Sequence, residues 1–430
     1  MRALDRKLIR DLSNMLGQTL AISLVMACGV ATFVMSLSTL HSLEYAQATY
    51  YERYRFADVF GNLKRAPRSL VARIHELPGV QSVVARVVAD VTLEVRGMDE
   101  PAVGRLVGIP ANDSPDLNRF HLREGRLLAP HRDEEVIANE AFVLAHKLTL
   151  GDRVTVVLNG RKKSLRIVGV ALSPEYIYQI RPGDILPDDR RFGVFWMEER
   201  ALAAGFNMQG AFNDVALKLA PGASEPEVLR RLDLLLEPHG GLGAHGRSEQ
   251  ISHKFVSNEI RELRTMAFIA PIIFLSVSAF LMNIVLTRLI STQREQIAAL
   301  KAFGHTGYEI GGHYLKFVVL IVMAGNLIGI VTGSWLGQGL TSLYTQFFHF
   351  PVFTYRLQAA VPLSGFGLSL ASGVIGTFVA VRRAVTLPPA EAMRPAPPGN
   401  YRPTILERLG FQSFLSPATR MILRNLERQP

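Results

Sequence analysis

Residues 17–40 read GQTLAISLVMACGVATFVMSLSTL, a run that contains no Asp, Glu, Lys or Arg. About 20 apolar residues in helical conformation are needed to cross the hydrocarbon core of a bilayer. Three further charge-free windows occur at residues 266–286, 317–337 and 361–381. The sequence therefore predicts a membrane protein with four transmembrane helices, although 430 residues could otherwise form two or three soluble domains.

Basic side chains are concentrated beside these windows. Residues 1–16, 288–316 and 382–430 together carry 16 Lys and Arg against 7 acidic residues, whereas residues 41–264 carry 30 of each. Cytoplasmic loops of membrane proteins carry an excess of Lys and Arg. We therefore expect both termini and residues 288–316 to lie in the cytoplasm. The net charge of +10 comes almost entirely from these membrane-flanking segments, where membrane lipids are the expected partners. It therefore gives no support to nucleic acid as a partner.

These observations predict a membrane fold of four transmembrane α-helices with a large α+β extracytoplasmic domain inserted between the first and second. Apolar and tyrosine residues at helical spacing follow the first window, and apolar residues precede the second, so both ends of the domain are predicted to be helical stalks. An equally weighted alternative, compatible with the first, is that the tyrosines only form an interfacial aromatic belt. The predicted segments are a cytoplasmic amphipathic segment (1–16), transmembrane helices (17–40, 265–287, 317–337 and 361–381), the extracytoplasmic domain (41–264), a cytoplasmic coupling hairpin (288–316), an extracytoplasmic loop (338–360) and a cytoplasmic tail (382–430).

Local motifs support the α+β assignment. Asn159-Gly160 lies between two β-branched runs and predicts a type I′ hairpin, and Ser224 with Glu227 predicts a capping box at a helix start. Residues 241–246, GLGAHG, match the dinucleotide-binding fingerprint but follow a predicted helix, whereas the fingerprint requires a preceding strand. We therefore interpret them as a flexible helix exit.

The third window contains a stripe of small residues. Gly325, Gly329, Gly333 and Gly337 recur every four residues and fall on one helix face. Such stripes allow close approach of a neighbouring helix in a membrane. They predict tight helix packing and say nothing about a substrate.

Residues 293–304 read QREQIAALKAFG and lie between the second and third windows. We predict that this run continues the second membrane helix and ends at Gly304, which suits a left-handed cap. Thr306 and Glu309 then predict a capping box for the next helix. The product is a stiff helical hairpin with an apolar side and flanking charges; the apolar residues are Ile297, Leu300 and Phe303, and the charged ones are Arg294, Glu295 and Lys301.

This run resembles the signature of FtsX-like permeases, Arg-Glu-x-Ile-x-x-Leu-Lys-Ala-x-Gly. Residues 382–384 and 388–395 resemble the same family's exit from its last span, and residues 77–80, 122–127 and 148–170 resemble the MacB-type periplasmic core. Residues 6–12 and 420–426 share the pattern Arg-x-apolar-apolar-Arg-Asp/Asn-Leu, as in duplicated members of the family. We therefore expect the first half of a duplicated permease, with a second permease half or protomer as a partner.

The resemblance implies the permease subunit of an ABC transporter in a bacterial inner (plasma) membrane. A separate ABC ATPase would dock on the hairpin, and its motion would reach the periplasmic domain to export or extract a lipid, lipoprotein, drug or peptide, with a periplasmic adaptor protein as a further partner. The alternative is a protein that activates a periplasmic partner, such as a cell-wall hydrolase, without transport. The implied ATPase-coupling residues are Arg294, Glu295, Ile297, Leu300, Lys301, Phe303 and Gly304.

Residues that would perform catalysis are not evident. The sequence contains no Walker A loop and no nucleophile elbow, and its histidines lack metal-ligand spacing. We therefore predict no enzymatic activity, no cofactor and no metal. Within residues 173–191, Tyr176, Tyr178 and Arg181 interrupt the strand pattern and are the kinds of residue that anchor interfaces. They predict a partner or substrate loop, with an ordinary solvated loop as the alternative.

Overall fold

The computed structural model describes residues 3–95, 98–111, 113, 115–181, 183–184, 186–386 and 388, with side chains described from Arg6 onward. The tail motif beyond Pro388 and the repeat at residues 420–426 lie outside this part of the chain. The helices are α1 (Ala3–Asn14), α2 (Leu16–Arg53), α3 (Leu70–His75), α4 (Glu140–Ala145), α5 (Glu199–Gly205), α6 (Glu225–Leu236), α7 (Ile251–Thr292), α8 (Arg294–Ala302), α9 (Gly307–Tyr344) and α10 (Ala360–Thr386).

The strands are β1 (Val59–Pro67), β2 (Val80–Arg86), β3 (Val88–Glu94), β4 (Ala102–Ile109), β5 (His121–Gly125), β6 (Glu135–Asn139), β7 (Arg153–Leu158), β8 (Arg161–Leu172), β9 (Phe192–Glu198), β10 (Ala211–Leu219) and β11 (Gly241–Gly246). The described residues form two compact units. Unit 1 is drawn from Met1–Gln18, Ala279–Val319 and Gly373–Pro430, and unit 2 from Thr19–Ser278 and Leu320–Ser372.

Four helices are long and apolar enough to cross a membrane: α2, α7, α9 and α10. The four predicted transmembrane helices are thereby confirmed. α2 has 38 residues and α7 has 42, which correspond to roughly 57 and 63 Å at 1.5 Å per residue. Because the hydrocarbon core is about 30 Å thick, both helices are much longer than a span requires.

The segment between α2 and α7 is an α+β domain, as predicted. Its first layer is an antiparallel sheet of four strands in the order β11-β1-β10-β2. One face of this sheet is covered by α3 and α6, and the core between them contains Val59, Phe212 and Leu217 from the strands and Ile74 and Leu232 from the helices. The sheet therefore buries one face through its own helices.

A second sheet has seven strands in the order β5-β8-β6-β9-β4-β3-β7. An additional β7–β8 pairing closes six of them into a ring, and β4–β9 and β6–β8 are parallel. The β7–β8 hairpin turns at Asn159 (φ 46°) and Gly160 (φ 81°). This confirms the predicted hairpin, because a type I′ turn requires positive φ at both central residues.

Two local predictions are wrong. Ser224 precedes α6, but its side chain makes no capping hydrogen bond, and Glu227 is instead bonded by Arg230 and Arg231 on the same helix. Residues 241–246 form strand β11, which pairs with β1, and are not a flexible helix exit. Gly240 adopts φ 73° between α6 and this strand, so the glycine-rich segment makes a tight turn and then joins a sheet edge. Backbone pairing with β1 decides its conformation.

Candidate functional site

The backbone between α7 and α9 forms a helical hairpin. Gly304 follows α8 and adopts φ 92°, a left-handed conformation that glycine tolerates. At the start of α9, the backbone N–H of Thr306 donates to Glu309 Oε2 (3.0 Å), and the N–H of Glu309 donates to Thr306 Oγ1 (3.3 Å). The predicted glycine cap and capping box are both confirmed.

The prediction that α7 continues into the hairpin is wrong. α7 ends at Thr292, and Gln293 (φ −94°, ψ 15°) separates it from α8, a helix of nine residues. The side-chain oxygen Oε1 of the buried Gln293 accepts a hydrogen bond from Lys7 Nζ (2.5 Å) and another from Tyr314 Oη (3.1 Å). These bonds satisfy the side-chain oxygen of Gln293 at the point where the helix is interrupted.

Lys7 belongs to a polar cluster that sequence reasoning did not find. Its ammonium group pairs with Asp11 (2.7 Å) one turn further along α1, and Asp11 Oδ2 lies 3.9 Å from His313 Nε2 on α9. Asp11, Gln293 and His313 are buried. The i,i+4 spacing of Lys7 and Asp11 was the available signal, but such a pair usually lies on a solvated helix face. In unit 1 it joins α1 to both arms of the hairpin.

The three apolar residues predicted for docking differ in exposure. Ile297 is only 2% exposed because the chain itself covers it, Leu300 is partly buried, and Phe303 is 87% exposed. They therefore do not form one continuous exposed stripe, and Ile297 is not available to a separate subunit. Tyr308, which the sequence prediction omitted, is 90% exposed on the opposite arm. Two aromatic side chains are thus uncovered at the hairpin end.

The charged residues of the hairpin also differ. Glu295 is exposed, whereas Arg294 and Lys301 are partly buried. Lys301 Nζ donates a hydrogen bond to the carbonyl oxygen of Val385 (2.8 Å), and burial lowers the pKa of Lys301. Lys301 therefore ties α8 to the end of α10 within unit 1, in addition to any role toward a partner.

This arrangement suits recognition by contact. The hairpin has defined caps at Gly304 and Thr306, a polar cluster at its base, and exposed aromatic rings at its end. Aromatic residues are enriched in protein interfaces relative to the rest of the surface, and exposed apolar side chains on a fixed backbone gain contact area at a small cost in entropy.

The glycines of α9 lie against α2. A methyl group at Gly325 would come within 3.0 Å of the carbonyl oxygen of Ser23, and one at Gly329 within 2.7 Å of Val30 Cβ. Gly333 makes a similar approach to Ala31, whereas Gly337 faces the ring of Tyr355. Three of the four glycines therefore bring two helix backbones together inside one chain, and the fourth makes room for an aromatic side chain.

Two of the three residues predicted for a partner or substrate loop, Tyr176 and Tyr178, pack against other parts of the α+β domain and α7. The ring of Tyr178 stacks on Phe255 of α7 at 4.2 Å between centroids, and the N–H of Tyr178 donates to Ser252 Oγ (2.9 Å). Tyr176 lies beside Trp196, with ring centroids 6.3 Å apart. Of the three predicted residues, only Arg181 is exposed, where it pairs with Asp184.

A buried ion network anchors the same loop. The guanidinium of Arg86 donates two hydrogen bonds to Glu175 (2.5 and 2.7 Å) and one to Asp214 (2.5 Å), and all three residues are buried. Burial acts to lower the pKa of Arg86, but the carboxylates of Asp214 and Glu175 outweigh it and raise the pKa well above its ordinary value. The network joins the loop after β8 to strands β2 and β10 of the four-stranded sheet.

Parts of this chain are similar to known proteins. The family model described as "FtsX-like permease C-terminal" matches residues 268–389, which include the hairpin. An uncharacterised ABC transporter permease protein of Mycobacterium tuberculosis is 24% identical over 281 residues, which cover 64% of this chain and 30% of that protein. The macrolide export ATP-binding/permease protein MacB 2 of Aeromonas hydrophila is 23% identical over 311 residues, or 70% of this chain and 44% of that protein.

The chain therefore spans less than half the length of these two relatives. Solved structures that match include the periplasmic region of MacB from Actinobacillus actinomycetemcomitans, with a TM-score of 0.29, 15% identity, and coverage of 47% of this chain and 91% of that one. Another is the extracellular domain of the noncanonic ABC-type transporter YknZ from Gram-positive bacteria, with a TM-score of 0.28, 15% identity, and coverage of 44% and 98%. Four helices long and apolar enough to cross a membrane, together with these sequence matches, support an FtsX/MacB-type permease of the ABC transporter family.

Proposed function

We propose that this chain is the transmembrane subunit through which a separate ATPase moves an extracytoplasmic domain, and that the motion exports or extracts a substrate. The observation that carries the proposal is the capped hairpin between α7 and α9 with Phe303 and Tyr308 almost fully exposed. A rigid element with uncovered aromatic rings is where a partner can apply force. The partner's identity as an ABC ATPase rests on the family.

The chain offers a direct covalent route for such motion. α7 runs as one helix from Ile251, beside the α+β domain, to Thr292, next to the hairpin, with Pro271 inside it. At its outer end, Ser252 and Phe255 contact the loop that contains Tyr178. Movement of α7 along or about its axis would therefore reach the domain through these contacts.

The orientation that we propose follows from the charge distribution. The basic segments, including the hairpin, face the cytoplasm of a bacterial inner membrane, and the α+β domain faces outward. Reporter fusions after Asn14 and at His305 are expected to give a cytoplasmic signal, and one at Asn159 an extracytoplasmic signal. A cytoplasmic signal at Asn159 would contradict the proposed orientation.

Recovery of the ATPase with the detergent-purified permease tests the coupling. Phe303→Asp places a charge on an exposed aromatic position, so we expect at least a tenfold loss of ATPase recovery with no change in permease monodispersity. Leu234→Asp is the matched control, since Leu234 is a 61% exposed apolar residue of α6 in the outer domain. Equal recovery of the ATPase with wild type and Phe303→Asp would refute docking at the hairpin end.

Gly304→Val probes hairpin geometry in the same assay. A β-branched residue at φ 92° is strained, although no atom stands within 4 Å of the position that its Cβ would take. We therefore expect weaker coupling of ATP hydrolysis to transport while the docking side chains remain chemically intact. Unchanged coupling in this variant would show that the direction of the hairpin is unimportant.

A further inference from the structure

A groove runs along α2 just beyond its apolar window. Its volume is about 230 Å³, and it lies between α2, the start of β5 and the loop that precedes α10. We call it the stalk groove, and it is lined by Ser42, Tyr45, Ala46, Thr49, Tyr50, Arg53, Tyr54, His121, Pro351, Val352, Thr354 and Arg356.

One end of the stalk groove lies at the level expected for lipid headgroups. Ser42 follows the end of the charge-free window at Leu40 by two residues, which is about 3 Å of helix rise. The N–H of Arg356 donates to Ser42 Oγ (2.9 Å), and α10 begins four residues after Arg356. The loop and the helix therefore meet where the hydrocarbon core gives way to the polar layer. Tyr45, half exposed here, is a residue type favoured in that layer.

The charge of the stalk groove is one-sided. Arg53 and Arg356 line it, no acidic residue does, and no ion pair of the described residues includes either arginine. The guanidinium of Arg356 lies 4.1 Å from the centroid of the Tyr45 ring, which holds it in place over the groove. By contrast, the larger cleft between the two sheets is lined by Arg86 and Arg105 together with their carboxylate partners.

The lining also shows what size of ligand fits. A volume of about 230 Å³ is below the roughly 300 Å³ at which pockets for drug-sized molecules begin. Ala46 and the 68% exposed Val352 supply an apolar surface, while Thr49 and Thr354 supply hydroxyl groups. The groove therefore suits a compact polar group that is attached to an apolar chain.

We propose that the stalk groove binds the phosphate headgroup of an anionic phospholipid from the leaflet on the side of the α+β domain. The guanidinium groups of Arg356 and Arg53 would pair with phosphate oxygens, for which planar guanidinium has suitable geometry. The first carbons of the lipid would lie against Val352 and Ala46, and the acyl chains would remain in the bilayer. The inference depends neither on the ATPase nor on the proposed transport function.

Native mass spectrometry of the full chain in detergent, titrated with phosphatidylglycerol or phosphatidylcholine, tests the proposal. Wild type is expected to bind phosphatidylglycerol more tightly. Arg53→Gln combined with Arg356→Gln should remove that preference, with a loss of about fivefold per arginine. Arg261→Gln is the control, because Arg261 is an exposed arginine on the α7 stalk outside the groove, and it should bind both lipids as wild type does.

A second variant separates charge from shape. Val352→Trp should fill the groove from an exposed loop position without removing a charge, and should also weaken phosphatidylglycerol binding. Competition with inorganic phosphate at equal concentration is expected to have little effect, because phosphate lacks the apolar part. The proposal is overturned if the double arginine variant binds phosphatidylglycerol as wild type does, if Val352→Trp leaves binding unchanged, or if inorganic phosphate displaces the lipid.

Discussion

The hairpin end and the loop after β8 both carry two aromatic side chains, yet the two regions use them in opposite ways. Phe303 and Tyr308 have about nine-tenths of their surface exposed. Tyr176 and Tyr178 pack against Trp196 and Phe255 instead. The loop is further fixed by the N–H of His349, which donates to the carbonyl oxygen of Ile177 (2.8 Å).

The difference shows that an aromatic residue that interrupts a secondary-structure pattern can serve either domain stability or binding, depending on whether other parts of the chain pack against it. In the loop, every nearby aromatic ring has an internal neighbour, so the ring contributes to the stability of the domain. At the hairpin end the rings stabilise little, which is why we propose that a partner binds there. The two regions should therefore respond to mutation through different measurements, one through unfolding and the other through partner binding.

The largest effect is expected from the ion network that anchors the loop. Arg86→Met would leave the carboxylates of Glu175 and Asp214 buried without their cation, and breaking a buried pair in this way costs about 3–5 kcal/mol. Thermal unfolding of the purified chain, followed by near-UV circular dichroism, should show a strongly lowered midpoint. Arg181→Met is the control, since its exposed pair with Asp184 is worth less than about 1 kcal/mol; similar midpoints in both variants would contradict the assignment.

A smaller loss is expected from the aromatic stack. Tyr178→Ala removes a ring that is partly buried against Phe255 and Phe348, and should lower the free energy of unfolding by about 2 kcal/mol, less than for a fully buried ring. Phe303→Ala should change it by less than about 0.5 kcal/mol, because the side chain is exposed. Chemical denaturation of both variants makes the comparison, and a larger loss for Phe303→Ala would reverse our interpretation of the two regions.

The hairpin cap should contribute a local effect. Thr306→Val removes the hydroxyl that accepts the N–H of Glu309, and losing a cap of this type costs about 1 kcal/mol. Faster hydrogen exchange at the first amides of α9 would be the readout, with Thr306→Ser as the variant that retains the bond. Unchanged exchange would mean that the cap does not hold the hairpin.

The smallest effect concerns the pH dependence of the same cap. The hydrogen bond from the backbone N–H of Thr306, followed by the bond to His305, lowers the pKa of Glu309. The stabilising contribution is therefore present above the ordinary glutamate pKa of about 4.3 and is lost as the pH falls through the lowered value. Carbon-13 NMR of the labelled carboxyl group should show a midpoint below the ordinary value, and a midpoint at or above it would contradict the bond.

The sequence alone determined the parts of this protein that follow from local physics. The absence of charge over about 20 residues identified the spans, because no other environment so strongly penalises charge along a whole helix. Asn159-Gly160, Gly304 and the Thr306–Glu309 pair were also readable, since their conformations depend on residues within one turn.

The tertiary structure alone decided which of the candidate residues face outward. Ile297 and Phe303 occupy similar positions in the sequence pattern, but only the first is covered by other parts of the chain. Gln293 interrupts a helix that its local sequence would continue. Its side-chain oxygen accepts hydrogen bonds from Tyr314, 21 residues later in the chain, and from Lys7, 286 residues earlier. Tyr178 is partly buried because Ser252 and Phe255 meet it from another element. Burial depends on what packs from elsewhere in the chain, and one residue's neighbours in sequence do not contain that information.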